Sequence, residues 1–179
     1  MKKIIALIMT MALLLGAAAV AENAQPAKVY NWADYEEQAK EIGGEFVPAG
    51  GIGLKIFAPK GWEQVKEAEV FGLRTAGVEE KDPAFCILSV QVLPVAGDAF
   101  VEELKKSNPT VTLAEEQLNG YDVVSYELTD SNGIKAQGVA LTSKDGTKTV
   151  TFSFAPVTDA NAKVVELVKA SLQHEEENK

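Results

Sequence analysis

The residues that most often carry out catalysis are scarce in this chain of 179 residues, which has one histidine, His174, and one cysteine, Cys86. Nucleophilic catalysis with a histidine base needs that base held beside the nucleophile by a third group. His174 belongs to a charged C-terminal segment, whereas Cys86 lies among Phe85, Ile87 and Leu88, where a thiol packs as a small apolar group. The sequence therefore predicts no catalytic residue and, lacking a Cys and His cluster, no metal site.

Carboxylates are the catalytic group present in excess, since 26 acidic residues stand against 17 basic ones. A glycosidase needs two carboxylates that converge in space, whereas adjacent residues of a helix or strand point in different directions. We therefore interpret the adjacent pairs as solvated surface and keep a carboxylate-only hydrolase, acting on envelope or extracellular material, as the alternative function. The pairs are Glu36 with Glu37, Glu79 with Glu80, Glu102 with Glu103, and Glu115 with Glu116.

The net charge of -9 also restricts the partners. Binding to nucleic acid or to an anionic membrane needs an excess of Lys and Arg, which this chain lacks. The glycines at 50, 51 and 53 are followed by neither the lysine nor the helix of a phosphate-binding loop. The sequence thus predicts no nucleic-acid partner and no cofactor, and it leaves a protein, a peptide or envelope material as the ligand.

Three aromatic residues are candidates for recognition. Trp62 follows a Pro-Lys-Gly turn, so its ring can stand at a sheet edge and bind a partner, or it can close one end of the core. We favour the structural role. Trp32 and Tyr35 present the same choice on a helix stripe that either packs on the sheet or contacts a partner.

Residues 1–21 have the pattern of a secretory signal peptide. Lys2 and Lys3 precede an apolar run, and the small residues of Ala19-Val20-Ala21 suit a signal peptidase. An uncleaved membrane anchor is the alternative, because the apolar stretch from Ile4 to Val20 approaches the length of a span. The small residues at its end and the lack of a basic flank favour cleavage, so we expect an exported protein, secreted or in the cell envelope, with no stable membrane insertion.

The mature chain is expected to form one domain over residues 44–173, preceded by an arm and helix at 22–43 and followed by a charged tail at 174–179. Apolar residues recur with helical spacing in three segments. Alternation and turn signals such as Asn119-Gly120 predict a meander of four antiparallel strands after residue 110. The predicted helices are 31–42, 98–107 and 158–173, and the predicted strands are 52–58, 70–76, 85–93, 111–118, 121–129, 134–143 and 147–155.

A strand that ends in Pro59-Lys60-Gly61-Trp62, then a central strand, a helix, a meander and a closing helix ending at Ser171-Leu172 resembles the PsbP and Mog1-like group. The resemblance covers residues 44–173 and implies an α+β fold, with an antiparallel sheet of six to seven strands flanked by helices in an α/β/α sandwich. The helix containing Val29-Tyr30-Asn31-Trp32 is similar to small exported bacterial proteins of unassigned activity. The group hosts dissimilar roles, so we expect an exported, non-enzymatic binding or accessory domain.

Overall fold

The computed structural model describes residues 27–65 and 71–175. The predicted leader and the last four residues of the predicted tail therefore lie outside the described residues. The strands are β1 (Lys28–Tyr30), β2 (Gly44–Pro48), β3 (Leu54–Pro59), β4 (Trp62–Gln64), β5 (Gly72–Thr75), β6 (Ile87–Leu93), β7 (Thr112–Leu118), β8 (Tyr121–Thr129), β9 (Lys135–Thr142), β10 (Thr149–Ala155) and β11 (Gln173–His174). The α-helices are α1 (Glu36–Ile42), α2 (Gly97–Ser107) and α3 (Ala162–Ala170).

The main sheet has eight strands in the order β1-β7-β8-β9-β10-β6-β5-β4. The four strands from β7 to β10 pair antiparallel in sequence order, which confirms the predicted meander. At its first turn Asn119 and Gly120 have φ of 50° and 86°, so Leu118 pairs directly with Tyr121. Two successive positive φ values are what a type I′ hairpin turn requires.

A second sheet has three strands in the order β11-β3-β2. It lies with α3 against one face of the main sheet, where Ile56 of β3 and Val165 of α3 share a core with Phe152 of β10. Helix α2 covers the other face, where Leu104 packs with Tyr126. The predicted α+β class is therefore confirmed. Strand β6 lies between β10 and β5 inside the main sheet, as its apolar composition predicts. Its first residues, Ile87 and Leu88, are buried on opposite faces, whereas Val92 near its end is 46% exposed.

The predicted number of strands was too low, because four short strands escaped the sequence patterns. Strands β1, β4 and β11 have two or three residues each, too few to show alternation, and β2 carries Gly44 and Pro48 at its ends. Strand β1 also pairs with β7 in parallel, so the main sheet is mixed rather than purely antiparallel. The described part of the predicted strand at 70–76 is β5.

The predicted helix at 31–42 is divided. A 3-10 turn covers Trp32–Asp34, and α1 begins at Glu36. Asn31 does not cap it through its side chain. The backbone N–H of Trp32 instead donates a hydrogen bond to the side chain of Asn119, which belongs to the β7–β8 turn. A contact from a distant segment thus replaces the local cap.

The closing helix is shorter than predicted. Helix α3 begins at Ala162, after the N-cap position Asn161, rather than at 158 or 159. The buried Asn161 side chain accepts from the N–H of Thr158 and donates to the carbonyl oxygens of Phe85 and Pro156. Because these bonds hold residues 158–161 in a turn, the helix cannot start earlier.

Candidate functional site: a cleft beside the first hairpin

A cleft of about 540 Å³ opens where the β7–β8 turn, the 3-10 turn and the edge of the small sheet meet. Its volume falls within the range of about 300–1,000 Å³ that small-molecule sites occupy. We call it the hairpin cleft. Its lining residues are Asn31, Trp32, Ala33, Lys55, Asn119, Tyr121, Gln173 and His174.

Asn119 holds the walls of the hairpin cleft together. Its Oδ1 accepts a 2.6 Å hydrogen bond from the N–H of Trp32, and its Nδ2 donates to the carbonyl oxygens of Ala170 and Leu172 at 2.7 and 2.9 Å. Its own N–H donates to the carbonyl oxygen of Tyr30 at 2.9 Å. One residue thus connects the hairpin to the 3-10 turn and to the segment that leads into β11, so the cleft is formed before any ligand arrives.

Aromatic rings form much of the cleft wall. The rings of Tyr121 and His174 have centroids 4.9 Å apart. Trp32 is half-buried, and its ring rests on those of Phe46 and Phe57 at centroid distances of 5.1 and 5.6 Å. Since each ring is held by a neighbouring ring, binding would cost little side-chain freedom.

The hydroxyl of Tyr121 has unused hydrogen-bonding capacity. It is buried and makes no hydrogen bond with any other group in the described part of the chain. Burial raises the pKa of this phenol, because the charged form would be poorly solvated there. Leaving a buried hydroxyl without a partner costs about 1–3 kcal/mol, so a polar group that reached Tyr121 would be favoured.

The small sheet provides the opposite wall. Gln173 of β11 pairs with Lys55 of β3, and the N–H of Glu175 donates to the carbonyl oxygen of Gly53 at 2.9 Å. The charged residues after His174 predict a tail that begins at this residue, but His174 lies in β11, paired with Leu54. This correction brings the only histidine of the chain into the cleft.

A buried ion pair fixes β1, which leads into the 3-10 turn. Lys169 Nζ lies 3.0 Å from Glu116 Oε2, and the two side chains are 13% and 9% exposed. The same ammonium donates to the hydroxyl of Tyr30 at 3.0 Å and lies 4.4 Å from the centre of its ring. These contacts join β1, β7 and α3, and we assign them a structural role because each charge has its partner.

A second, more exposed group of contacts continues this attachment. Glu166 Oε1 accepts from Lys28 Nζ at 3.1 Å and from the hydroxyl of Tyr35 at 3.3 Å. Burial, with the nearby Glu166 charge, raises the pKa of Tyr35 to about 12. Tyr35 is therefore neutral at physiological pH and donates a hydrogen bond to the Glu166 carboxylate.

The three aromatic residues singled out from the sequence do not form one site. Trp32 lines the hairpin cleft, whereas Tyr35 contacts Glu166 and stacks near Tyr30, with ring centroids 6.3 Å apart. Trp62 lies in β4, an end strand of the main sheet, and packs half-buried against the main core. Its structural role remains a prediction.

Sequence reasoning missed Asn119, Tyr121, Gln173 and His174 as site residues. The Asn-Gly pair did predict the hairpin turn, but its side-chain partners lie about 50 to 90 residues away along the chain. The available signal was that Tyr121 follows this turn directly, where an aromatic ring stands at a sheet end.

The other candidate chemistries involve a metal ion, the thiol and a membrane span, and the following observations concern residues 27–65 and 71–175. No group of three or more His, Cys, Asp or Glu side chains there could hold a metal ion. Cys86 is fully buried, and burial raises the pKa of its thiol to about 12. No helix in these ranges is both long and apolar enough to cross a bilayer.

No protein-family model matches the chain, and no curated protein matches it. Solved structures similar to it include a protein from Bacteroides thetaiotaomicron VPI-5482, with 19% identity and a TM-score of 0.47 over 76% of this chain and 50% of that one. The chain thus spans about half the length of the Bacteroides protein.

A second similar structure is that of cyanobacterial PsbP (CyanoP) from Synechocystis sp. PCC 6803. The identity is 17% and the TM-score 0.48, over 75% of this chain and 94% of that one. Both TM-scores lie below 0.5. Cyanobacterial PsbP is thus among the structures similar to this chain, in agreement with the resemblance that the order of its elements predicts.

Proposed function

We propose that the mature chain is an exported, non-enzymatic binding or accessory domain that holds its ligand in the hairpin cleft. The observation that carries the proposal is the composition of this preformed cleft: three aromatic side chains, three amide side chains and one lysine. Ligand sites combine apolar walls with a few polar groups in this way. Export is supported by the order of charged, apolar and small residues in positions 1–21.

A binding role accounts for the cleft better than hydrolysis does. General acid and base catalysis by carboxylates needs acidic groups within hydrogen-bond reach of the substrate. The described lining of the cleft contains no Asp or Glu, and the buried Glu116 is already paired with Lys169. Hydrolysis by carboxylates alone is therefore kept as an alternative that the binding experiment below can detect.

The experiment immobilises the mature protein and passes soluble envelope fragments of the producing cell over it. We expect the parent protein and the control Gln117→Ala to retain the same fraction, because the side chain of Gln117 is exposed on β7 and bonds only to Asp122 in the described part of the chain. His174→Ala should retain much less. Retention that His174→Ala leaves unchanged would contradict a site in the cleft, and release of shortened fragments would replace binding with hydrolysis.

Export is tested separately. A fusion of residues 1–24 to a reporter should direct secretion, and the secreted native protein should begin at or near Glu22. Recovery of full-length protein in the cytoplasm alone would contradict export without bearing on the cleft.

A further inference from the structure

We infer that the ligand of the hairpin cleft is a neutral saccharide, a conclusion that rests on the proposed binding function and names its ligand class. Sugars present two kinds of surface: faces of C–H groups, which pack on aromatic rings, and hydroxyl groups around the ring edge, which both donate and accept hydrogen bonds. The cleft provides matching groups for each.

The packing surfaces are Trp32, Tyr121 and His174, which come from three different elements. Rings held by neighbouring rings keep their places as a flat ligand arrives. The Tyr121–His174 pair is such an arrangement, with its planes inclined at 53°. The two rings contact each other, and His174 is exposed, so a sugar ring can pack on the face of the imidazole that Tyr121 does not cover.

The polar groups are the amides of Asn31 and Gln173. Neither of the two amide side chains makes a hydrogen bond with another residue in the described part of the chain. An amide donates through nitrogen and accepts through oxygen, so it can bind two neighbouring hydroxyl groups at once. Asn119, by contrast, is committed to the fold.

Charge argues for a neutral ligand. With no carboxylate in the described lining, the cleft has no group to attract a cation. The net charge of -9 repels a polyanion as it approaches. A ligand without charge meets neither obstacle.

A peptide fits the cleft less well. Extended peptides bind by adding a strand to a free sheet edge, and β11 is the edge strand that borders the cleft. It has two residues, and the carbonyl oxygen of the preceding Leu172 is already bonded to Asn119. The edge is too short for the ladder of main-chain hydrogen bonds that gives such complexes their affinity.

The test is calorimetric titration of the mature protein with four probes: the trisaccharide of N-acetylglucosamine, maltotriose, trigalacturonic acid and a tryptic digest of casein. We expect at least one of the two neutral trisaccharides to bind with a Kd below about 1 mM. Trigalacturonic acid and the peptides should give no saturable heat. The choice between the two neutral sugars shows whether the amides select an acetamido group.

Three variants locate the binding. His174→Ala removes one wall and Gln173→Ala removes an amide, so each should weaken binding of the neutral saccharide, the first by about tenfold or more. Gln117→Ala, outside the cleft, should bind like the parent. Circular dichroism of each variant checks that it is folded, and Gln173→Ala keeps the test valid if His174→Ala does not fold.

The outcomes separate this inference from the proposed function. Peptide or trigalacturonate binding that His174→Ala abolishes would overturn the saccharide and keep the cleft. Saccharide binding that both cleft variants leave intact would overturn the assignment of the site. If no probe binds, but the parent protein still retains envelope fragments and His174→Ala does not, the ligand class alone is overturned. If the parent protein binds no probe and retains no envelope fragments, the proposed function is overturned as well.

Discussion

Replacing Asn119 by glycine should both destabilise the protein and loosen the hairpin cleft. Glycine accepts the φ of 50° at this position without strain, so Asn119→Gly removes the side-chain hydrogen bonds and leaves the turn geometry intact. Three bonds are lost, to the N–H of Trp32 and to the carbonyl oxygens of Ala170 and Leu172.

The magnitude follows from these contacts. A typical intramolecular hydrogen bond contributes about 0.5–1.5 kcal/mol. Three of them, at partly buried positions, give an expected loss of about 2–4 kcal/mol in the free energy of unfolding. The extra freedom of glycine in the unfolded chain adds up to about 1 kcal/mol.

Asn132→Gly is the matched control, because Asn132 also precedes a glycine in a hairpin turn. It is exposed, and its side chain bonds only to Asp130, so its replacement should cost mainly the chain-entropy contribution of about 1 kcal/mol or less. Urea denaturation followed by circular dichroism measures both variants. Equal losses in the two would refute the role of Asn119 in connecting the cleft walls.

Three further predictions test the core. Trp62→Ala should lower the free energy of unfolding by about 2–4 kcal/mol, because the half-buried ring packs on the main core; a thermal midpoint within about 2 °C of the parent's would instead favour a recognition role. Cys86, with its pKa raised to about 12 by burial, should resist a thiol reagent at about pH 8 until denaturant is added; rapid labelling of the native protein would contradict its burial. Tyr126 is fully buried, and its pKa is raised to about 12. Its neutral form therefore contributes fully to the free energy of unfolding below the unfolded pKa of about 10. About 2–3 kcal/mol of this free energy is lost as the pH rises from about 10 to about 12. The stability of Tyr126→Phe, measured by urea denaturation over this range, should fall less steeply with pH, and an equal slope would show that another group dominates.

The parts of the fold that local chemistry determines were predictable from sequence. Turn residues at Asn119-Gly120 and Asp145-Gly146 impose the meander, and the spacing of Val165 and Val168 defines the buried side of α3. Strand β2 was not predictable, because its five residues take a strand conformation only through pairing with β3.

The candidate site was much less predictable. The sequence identifies Trp32 as a possible recognition residue. The hairpin cleft, however, depends on hydrogen bonds that join Asn119 to Trp32 and to Leu172, and both partners are far from Asn119 in the chain. The charged residues that follow His174 predict that it belongs to a tail. Its place in β11 depends on pairing with Leu54, which no local pattern shows.

Nuclear magnetic resonance of the mature protein tests most directly whether the hairpin cleft is the binding site. The chain has two tryptophans and one histidine, so the indole N–H signals of Trp32 and Trp62, assigned with Trp62→Phe, and the imidazole signals of His174 are separate reporters. When the retained envelope fraction is added, the signals of Trp32 and His174 should shift together and saturate, while that of Trp62 stays in place. A shift of Trp62 alone, or no shift of Trp32 and His174 at saturation, would contradict binding in the cleft.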